Sequence, residues 1–211
     1  MLISDFRDLI STIPVCQHSV DVKKGKWNNR DKKITIKKIF GHSKVVTISR
    51  NDLFQTNDTT ELVIKTLMWG YPTGGRGNNI NKVLEENNFL KLTKLLEKYR
   101  NENVTLEVLK RDIKTIKGVN LSTMSKFLYF MKVIVNNETA LILDLKIINV
   151  IGLDRFEELR PLIGIKYNNA IDHYVKYLQT INQLAIEMKV LPDQIELFLF
   201  MFGSNLIEIS E

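Results

Sequence analysis

The chain has one cysteine, Cys16, among its 211 residues, which excludes an internal disulfide framework and a cysteine-only metal site. Its three histidines, His18, His42 and His173, share no metal-ligand spacing, and no Ser-His-Asp order or metalloprotease helix accompanies them. Metal chemistry and acyl transfer thus lack a carrier, so neither a metal nor a cofactor is expected. Proline is scarce, at four residues, and no apolar run approaches the roughly 20 residues a membrane span needs. The opening MLISDFRDLI mixes acids with apolar residues, unlike a signal or transit peptide. A cytoplasmic setting, no membrane and a monomer are the expectations.

What is present is ordinary for a globular chain: 44% hydrophobic and 26% charged residues, with a net charge of +6. The distribution of charge says more than its total. Residues 1–50 hold 11 Lys/Arg against 4 Asp/Glu, a net of +7, whereas residues 187–211 hold one Lys and five acids, a net of −4. Such asymmetry suits a basic face for a polyanion, nucleic acid first, although a solvated lysine-rich face needs no ligand. Lys23, Lys24, Lys26, Lys37 and Lys38 are the candidate contacts.

Periodicity predicts a mostly α-helical chain with a small extended or β excursion near its N-terminus. Leu2, Phe6, Leu9, Ile10 and Ile13 form a helical stripe that Pro14 closes. Residues 32–50 hold two β-branched runs around Gly41-His42 and read as a basic hairpin or an extended excursion. Asp58 or Thr59 caps the next helix, and Glu61 stands where a capping box would place it. Further helices are expected near 79–87, 89–101, 105–114, 122–135, 145–151, 168–189 and 192–202, with a loop over 154–166. This divides the chain into an N-terminal helix with a basic segment, 1–57, and a helical unit, 58–211.

The glycine-rich loop WGYPTGGRGNN, residues 69–79, is no P-loop, since no Gly-Lys-Ser/Thr follows it. Trp69 and Tyr71 could stack on a base there and Arg76 could hold a phosphate or a guanine edge, whereas the plain reading is a helix end with Trp69 in the core. The stretch KGVNLSTMSKFLYF, residues 117–130, is chemically richer. It closes a helix–turn–helix running from about 105 to 135, in which Gly118 tolerates positive φ and Asn120 is among the few other residues that do. Such a turn, with the helix start behind it, suits a phosphate, and Ser122 or Thr123 can cap that helix. Past Lys126 the helix is apolar on every side and should be central. Lys126 near a positive helix end, partly desolvated, favours the neutral amine, a nucleophile. The plain alternative is a lysine that snorkels to the surface. Asp144 interrupts a second apolar run, ALILDLKII, and can serve as a helix cap.

In SKFLYF, in ALILD and in YNNAIDHYVKYLQTINQLAIEMKVLPDQIELFLF, the chain resembles the helix-hairpin-helix superfamily of DNA glycosylases, and within it the bacterial 8-oxoguanine DNA glycosylase-like group. A weaker echo lies in WGYPTGGRGN. The likeness spans roughly residues 60–200 and implies a two-lobed helical domain acting on double-stranded DNA with a flipped nucleotide. It also implies a lysine that attacks C1′ of the damaged nucleotide and a downstream aspartate that stabilises charge on the sugar. Lys126 and Asp144, 18 positions apart, stand in that order. The turn departs from the family's Gly-hydrophobic-Gly pattern: Asn120 replaces the second glycine, and Ser122 stands in the lysine's usual register. Lys126 fits if the hairpin carries an insertion. The missing four-cysteine cluster separates the chain from the iron–sulfur branch.

Three readings follow from the resemblance. One is a base-excising enzyme with a lyase step, acting on an oxidised purine such as 8-oxoguanine. The second is a water-using glycosylase centred on Asp144. The third is a non-catalytic DNA-binding protein, for instance one directed at foreign DNA, that uses the hairpin only for phosphates.

Overall fold

The computed structural model describes residues 1–28, 30–75 and 77–206. It is mostly helical, with a two-stranded and a three-stranded sheet among the described residues. A 3₁₀ turn over Ser4–Phe6 leads into α1, Arg7–Ser11. The buried side chains here are Ile3, Ile10 and Ile13, while Leu2 and Leu9 are exposed. The expected stripe is therefore shifted, because the tighter 3₁₀ turn rotates the first residues relative to an α-helical register.

Strand β1, Ser19–Lys23, pairs antiparallel with β2, Val45–Ser49, and Ser19 faces Ser49. Between them lies α2, Lys33–Phe40. The two β-branched runs of 32–50 thus do not pair with each other. The first run becomes a helix because Ile36, Ile39 and Phe40 form a helical stripe; Ile36 and Phe40 are buried and Ile34 is 86% exposed.

Helix α3, Arg50–Phe54, follows β2 directly and is capped reciprocally by Ser49 and Asp52. Helix α4, Thr59–Gly70, starts at Asp58, whose Oδ1 accepts from Glu61 N at 2.7 Å. This cap is one-sided, since the Glu61 carboxylate pairs with Lys38 and Lys65, both at 2.8 Å. Helices α5, Asn79–Leu84, α6, Glu86–Tyr99, and α7, Leu106–Ile113, lead to the turn before α8, Leu121–Phe130.

Every residue of α8 except Ser122 is buried, so this helix is the centre of the fold. It stops at Phe130 rather than near 135. Ile134–Val135 instead form β4, parallel to β3, Asn103–Val104, and antiparallel to β5, Glu138–Thr139. The connection is the Asn136-Asn137 turn, with φ of 49° and 67°, a conformation asparagine tolerates and one that suits a two-residue hairpin.

Helices α9, Leu145–Gly152, α10, Ala170–Met188, and α11, Pro192–Met201, complete the described chain. No helix among the described residues is long and apolar enough to cross a membrane. A buried ion pair joins α3 to α11. Arg50 grips Glu196 of α11 through two bonds of 2.8 and 3.2 Å, and both side chains are 1% exposed. Arg50 also donates to Tyr129 of α8, which donates to Asp193. Burial works against the charged guanidinium, but the two-pronged carboxylate outweighs it and holds the Arg50 pKa above its ordinary range.

Candidate active site

Lys126 occupies the second turn of α8, not the first, and its side chain is 5% exposed. It does not snorkel. Its Nζ donates to the Ser122 carbonyl at 2.9 Å, lies 3.4 Å from Ser122 Oγ, and sits 3.7 Å from Asp144 Oδ2. The Tyr71 ring centre is 5.7 Å away. The aliphatic stem runs against Gly70, the last residue of α4, where an added Cβ would come within 3.0 Å of Lys126 Cδ. Ser122 and Lys126, the two residues that compete for the lysine register, therefore meet at one place, one helical turn apart.

Asp144 caps α9 and divides its two oxygens. Oδ1 accepts from the Lys146 and Ile147 amides at 3.0 and 3.3 Å, leaving Oδ2 toward Lys126. The extended segment that delivers it, 140–143, is buried and held on both sides. Tyr174 and Tyr177 of α10 donate to the Leu141 and Ile142 carbonyls at 2.7 and 2.9 Å. From the other side, Ser125 Oγ accepts from Leu143 N at 3.1 Å. The neighbour of Lys126 thus anchors the neighbour of Asp144.

The turn before α8 is fixed as firmly. Gly118 has φ of +80°, and a Cβ there would lie 2.4 Å from the Asn79 carbonyl oxygen. Asn88 donates to the carbonyls of Lys82 and Lys117 and accepts from Lys117 N, tying the turn to α5 and α6. Asn120 is not in the positive-φ region; its φ is −124° and it is the N-cap of α8, accepting from Thr123 N at 3.0 Å. Asparagine outcompetes Ser122 and Thr123 because it stands one residue before the first helical position, where the cap must be. Its amide also donates to the Tyr167 hydroxyl.

Two cavities meet at Gly70 and Pro72, which line both. The larger, about 680 Å³, is a groove bordered by Gly118, Asn120, Ser122 and Thr123 on one side and by Tyr71 and Gly75 on another. Tyr71 is fastened there by a 2.7 Å bond to Thr123 Oγ1. The smaller, about 180 Å³, reaches Lys126 and Asp144 and is walled by His18, Arg50, Trp69, Glu196 and Phe200. Trp69 is 6% exposed and packs edge-on to both His18 and Phe130, so it is at once a core residue and a cavity wall. His18 has its pKa lowered to about 4, first by burial and then by the charges of Arg50 and Lys146, so its ring is neutral near pH 7.

The basic candidates are divided. Lys23, Lys26 and Lys37 are exposed; Lys24 donates to the Gly41 carbonyl at 3.1 Å; Lys38 is paired with Glu61. Lys24 and Lys37 border a shallow depression of about 380 Å³ beside α2. Arg76 lies outside the described residues. No group of three His, Cys, Asp or Glu suited to a metal occurs among the described residues. Sequence reasoning passed over Arg50 and Glu196 and weighed His18 only as a metal ligand. One signal for Glu196 was available: it is a lone acid inside QIELFLF, the same oddity that exposed Lys126 and Asp144.

A buried amine facing a carboxylate thus lines the smaller cavity, and the groove begins next to it at Gly70 and Pro72. The chain belongs to the family described as "Putative 8-oxoguanine DNA glycosylase OGG-like protein", whose model matches residues 13–200. DNA is accordingly the partner, and an enzyme acting on DNA is the class of activity. Neither a curated protein nor a solved structure matches the chain significantly.

Proposed function

We propose that this chain is a DNA N-glycosylase of the helix-hairpin-helix type with an associated lyase step, excising an oxidised purine such as 8-oxoguanine from a flipped nucleotide. The observation that carries the reading is the 3.7 Å approach of Lys126 Nζ to Asp144 Oδ2 in a nearly dry setting that lines the smaller cavity. In this mechanism the Lys126 amine bonds to C1′ as the C1′–N bond to the base breaks. The base leaves with the bonding electrons and receives the proton shed by the amine, relayed through Asp144. The second amine proton then passes to O4′ as the C1′–O4′ bond opens, leaving an imine between Lys126 and the sugar. Asp144 stabilises positive charge on the sugar in the transition state.

Gly118, Asn120, Ser122 and Thr123 border the groove in which the backbone next to the target would lie, with the start of α8 favouring a phosphate. The exposed lysines of residues 1–57 add sequence-independent affinity that weakens with salt. The protein would work as a cytoplasmic monomer on duplex DNA.

The test is sodium borohydride trapping on a duplex carrying 8-oxoguanine. Wild-type protein should give a reduced, permanent protein–DNA crosslink, and Lys126→Ala should lose it while retaining DNA binding. Base release without any crosslink would move the assignment to water activation by Asp144. If neither product forms on any lesion, a non-catalytic DNA binder is the better account.

A further inference from the structure

Lys126 Nζ has polar contacts with two residues, and they belong to different spaces. Asp144 lines the smaller cavity together with Lys126, whereas Ser122 lines the groove. Ser122 is the one residue of α8 that is not buried. Its Oγ stands 3.4 Å from Nζ and, among the described residues, makes no other hydrogen bond.

That hydroxyl has no task in the fold. A serine at the start of a helix ordinarily caps it or bonds to neighbouring backbone. Here Asn120 is the cap, and Ser122 Oγ bonds to no backbone group. The Ser122 carbonyl is engaged, accepting from Lys126 Nζ at 2.9 Å and from Ser125 Oγ at 3.4 Å, but any residue would supply that carbonyl. What serine adds is a group that accepts and donates at once, which neither a carbonyl nor an ionised carboxylate can do.

The lyase step calls for such a group. Once Lys126 has bonded to C1′, its nitrogen and O4′ share that carbon, so a proton passing directly between them would close a strained four-membered ring. Through a hydroxyl the path becomes six-membered. We infer that Ser122 is the proton relay for opening the sugar. Nζ gives its proton to Ser122 Oγ, and Ser122 gives its own proton to O4′, so the hydroxyl is regenerated. The C1′–O4′ bond breaks with its electrons going to O4′, and the pair freed from the N–H bond closes the imine. The relay rests on the glycosylase reading above and divides the work by place: Asp144 serves base departure on the cavity side, and Ser122 serves the sugar on the groove side.

The experiment reads two products from the same duplex carrying 8-oxoguanine: the free base, and the borohydride-trapped crosslink, which forms only from the imine. Alanine suits a helix better than serine, so Ser122→Ala should fold. It should cut crosslinking at least about tenfold more than it cuts base release, against the ~10²–10⁴-fold that a positioned proton transfer contributes, because water in the groove can take over part of the relay. Ser122→Thr, which keeps the hydroxyl, should restore the wild-type ratio of the two products. Equal loss of both products in Ser122→Ala would make the serine a DNA contact or a structural residue, and an unchanged ratio with full activity would make it a bystander; either overturns the relay and spares the Lys126 chemistry. A Ser122→Thr ratio as poor as that of Ser122→Ala overturns it too, since the hydroxyl would then not be the cause. Wild-type protein that yields no crosslink overturns the underlying lysine reading and the relay together.

Discussion

Ser125→Ala removes one oxygen and should disturb both members of the Lys126–Asp144 pair. Ser125 is 0% exposed, and its Oγ is the acceptor for Leu143 N at 3.1 Å. Without it that amide is left buried between α8 and α10 with no partner, which costs about 1–3 kcal/mol. For a chain of this size each kcal/mol moves the melting temperature by about 2–4 °C, so the midpoint should fall by about 2–12 °C. The lost volume is a single oxygen, so cavity formation adds little. The functional effect should be disproportionate. Leu143 is the residue before Asp144, so the extended segment it anchors sets where the cap of α9 sits. Slack at Leu143 lengthens the 3.7 Å approach to Lys126, and a misplacement of about 1 Å at a reacting group can cost about 10²-fold. The assay is borohydride trapping at 25 °C, well below the midpoint, beside a thermal melt of the same sample. Crosslinking should drop about 10–100-fold. An unchanged midpoint would mean that the Ser125–Leu143 bond is not made. A lowered midpoint with undiminished crosslinking would refute the idea that this bond sets the pair.

Two other outcomes can be checked directly. Gly118→Ala should cost at least about 1–2 kcal/mol from its left-handed backbone alone, with more from the 2.4 Å encounter with Asn79 O; denaturant midpoints measure the first effect, and weaker DNA binding should accompany it. The His18 pKa is lowered from 6.5 to about 4, so the unfolded chain takes up a proton that the folded one refuses between those values. Stability contributed by the neutral ring is complete above about pH 6.5 and is lost as pH falls toward 4. His18→Gln should show a shallower fall over that window in denaturant titrations, and identical slopes would count against the burial of a neutral imidazole.

Much of the site could be read from residue order because it is built locally. Lys126 and Asp144 announce themselves as charges in apolar segments. The Asp144 cap and the positive φ of Gly118 are decided by residues within a few positions of each. Helix α8 was legible as central because no face of it is polar. The misreadings come where a short run satisfies two periods at once. In KITIKKIF, Ile34 and Ile36 alternate like a strand while Ile36, Ile39 and Phe40 recur like a helix; packing on α4 chose the second. The true partner of β2 is SVDVK, which carries only two apolar residues. The cavity walls were hidden for a different reason. Arg50 and Glu196 are 146 positions apart, and no local pattern says that a basic residue after a strand will meet an acid in the last described helix. The Ser125 hydroxyl is equally silent in sequence, since a serine inside an apolar helix is unremarkable until its partner Leu143 is known.

The Arg50–Glu196 grip also orders events in time. During synthesis Arg50, α4 and α8 exist long before α11, and in that interval a guanidinium destined for the interior has no counter-ion. Closing so long a loop is slow and gains nothing until its final contact forms. The lysine and aspartate can reach each other as soon as residue 152 has emerged, since everything that aligns them except the two α10 tyrosines is already present. The smaller cavity beside them cannot be complete then, because Glu196 and Phe200 come last. A nascent or truncated chain would therefore hold the lysine beside the aspartate while one wall of the cavity was still missing, and that wall would close only with α11.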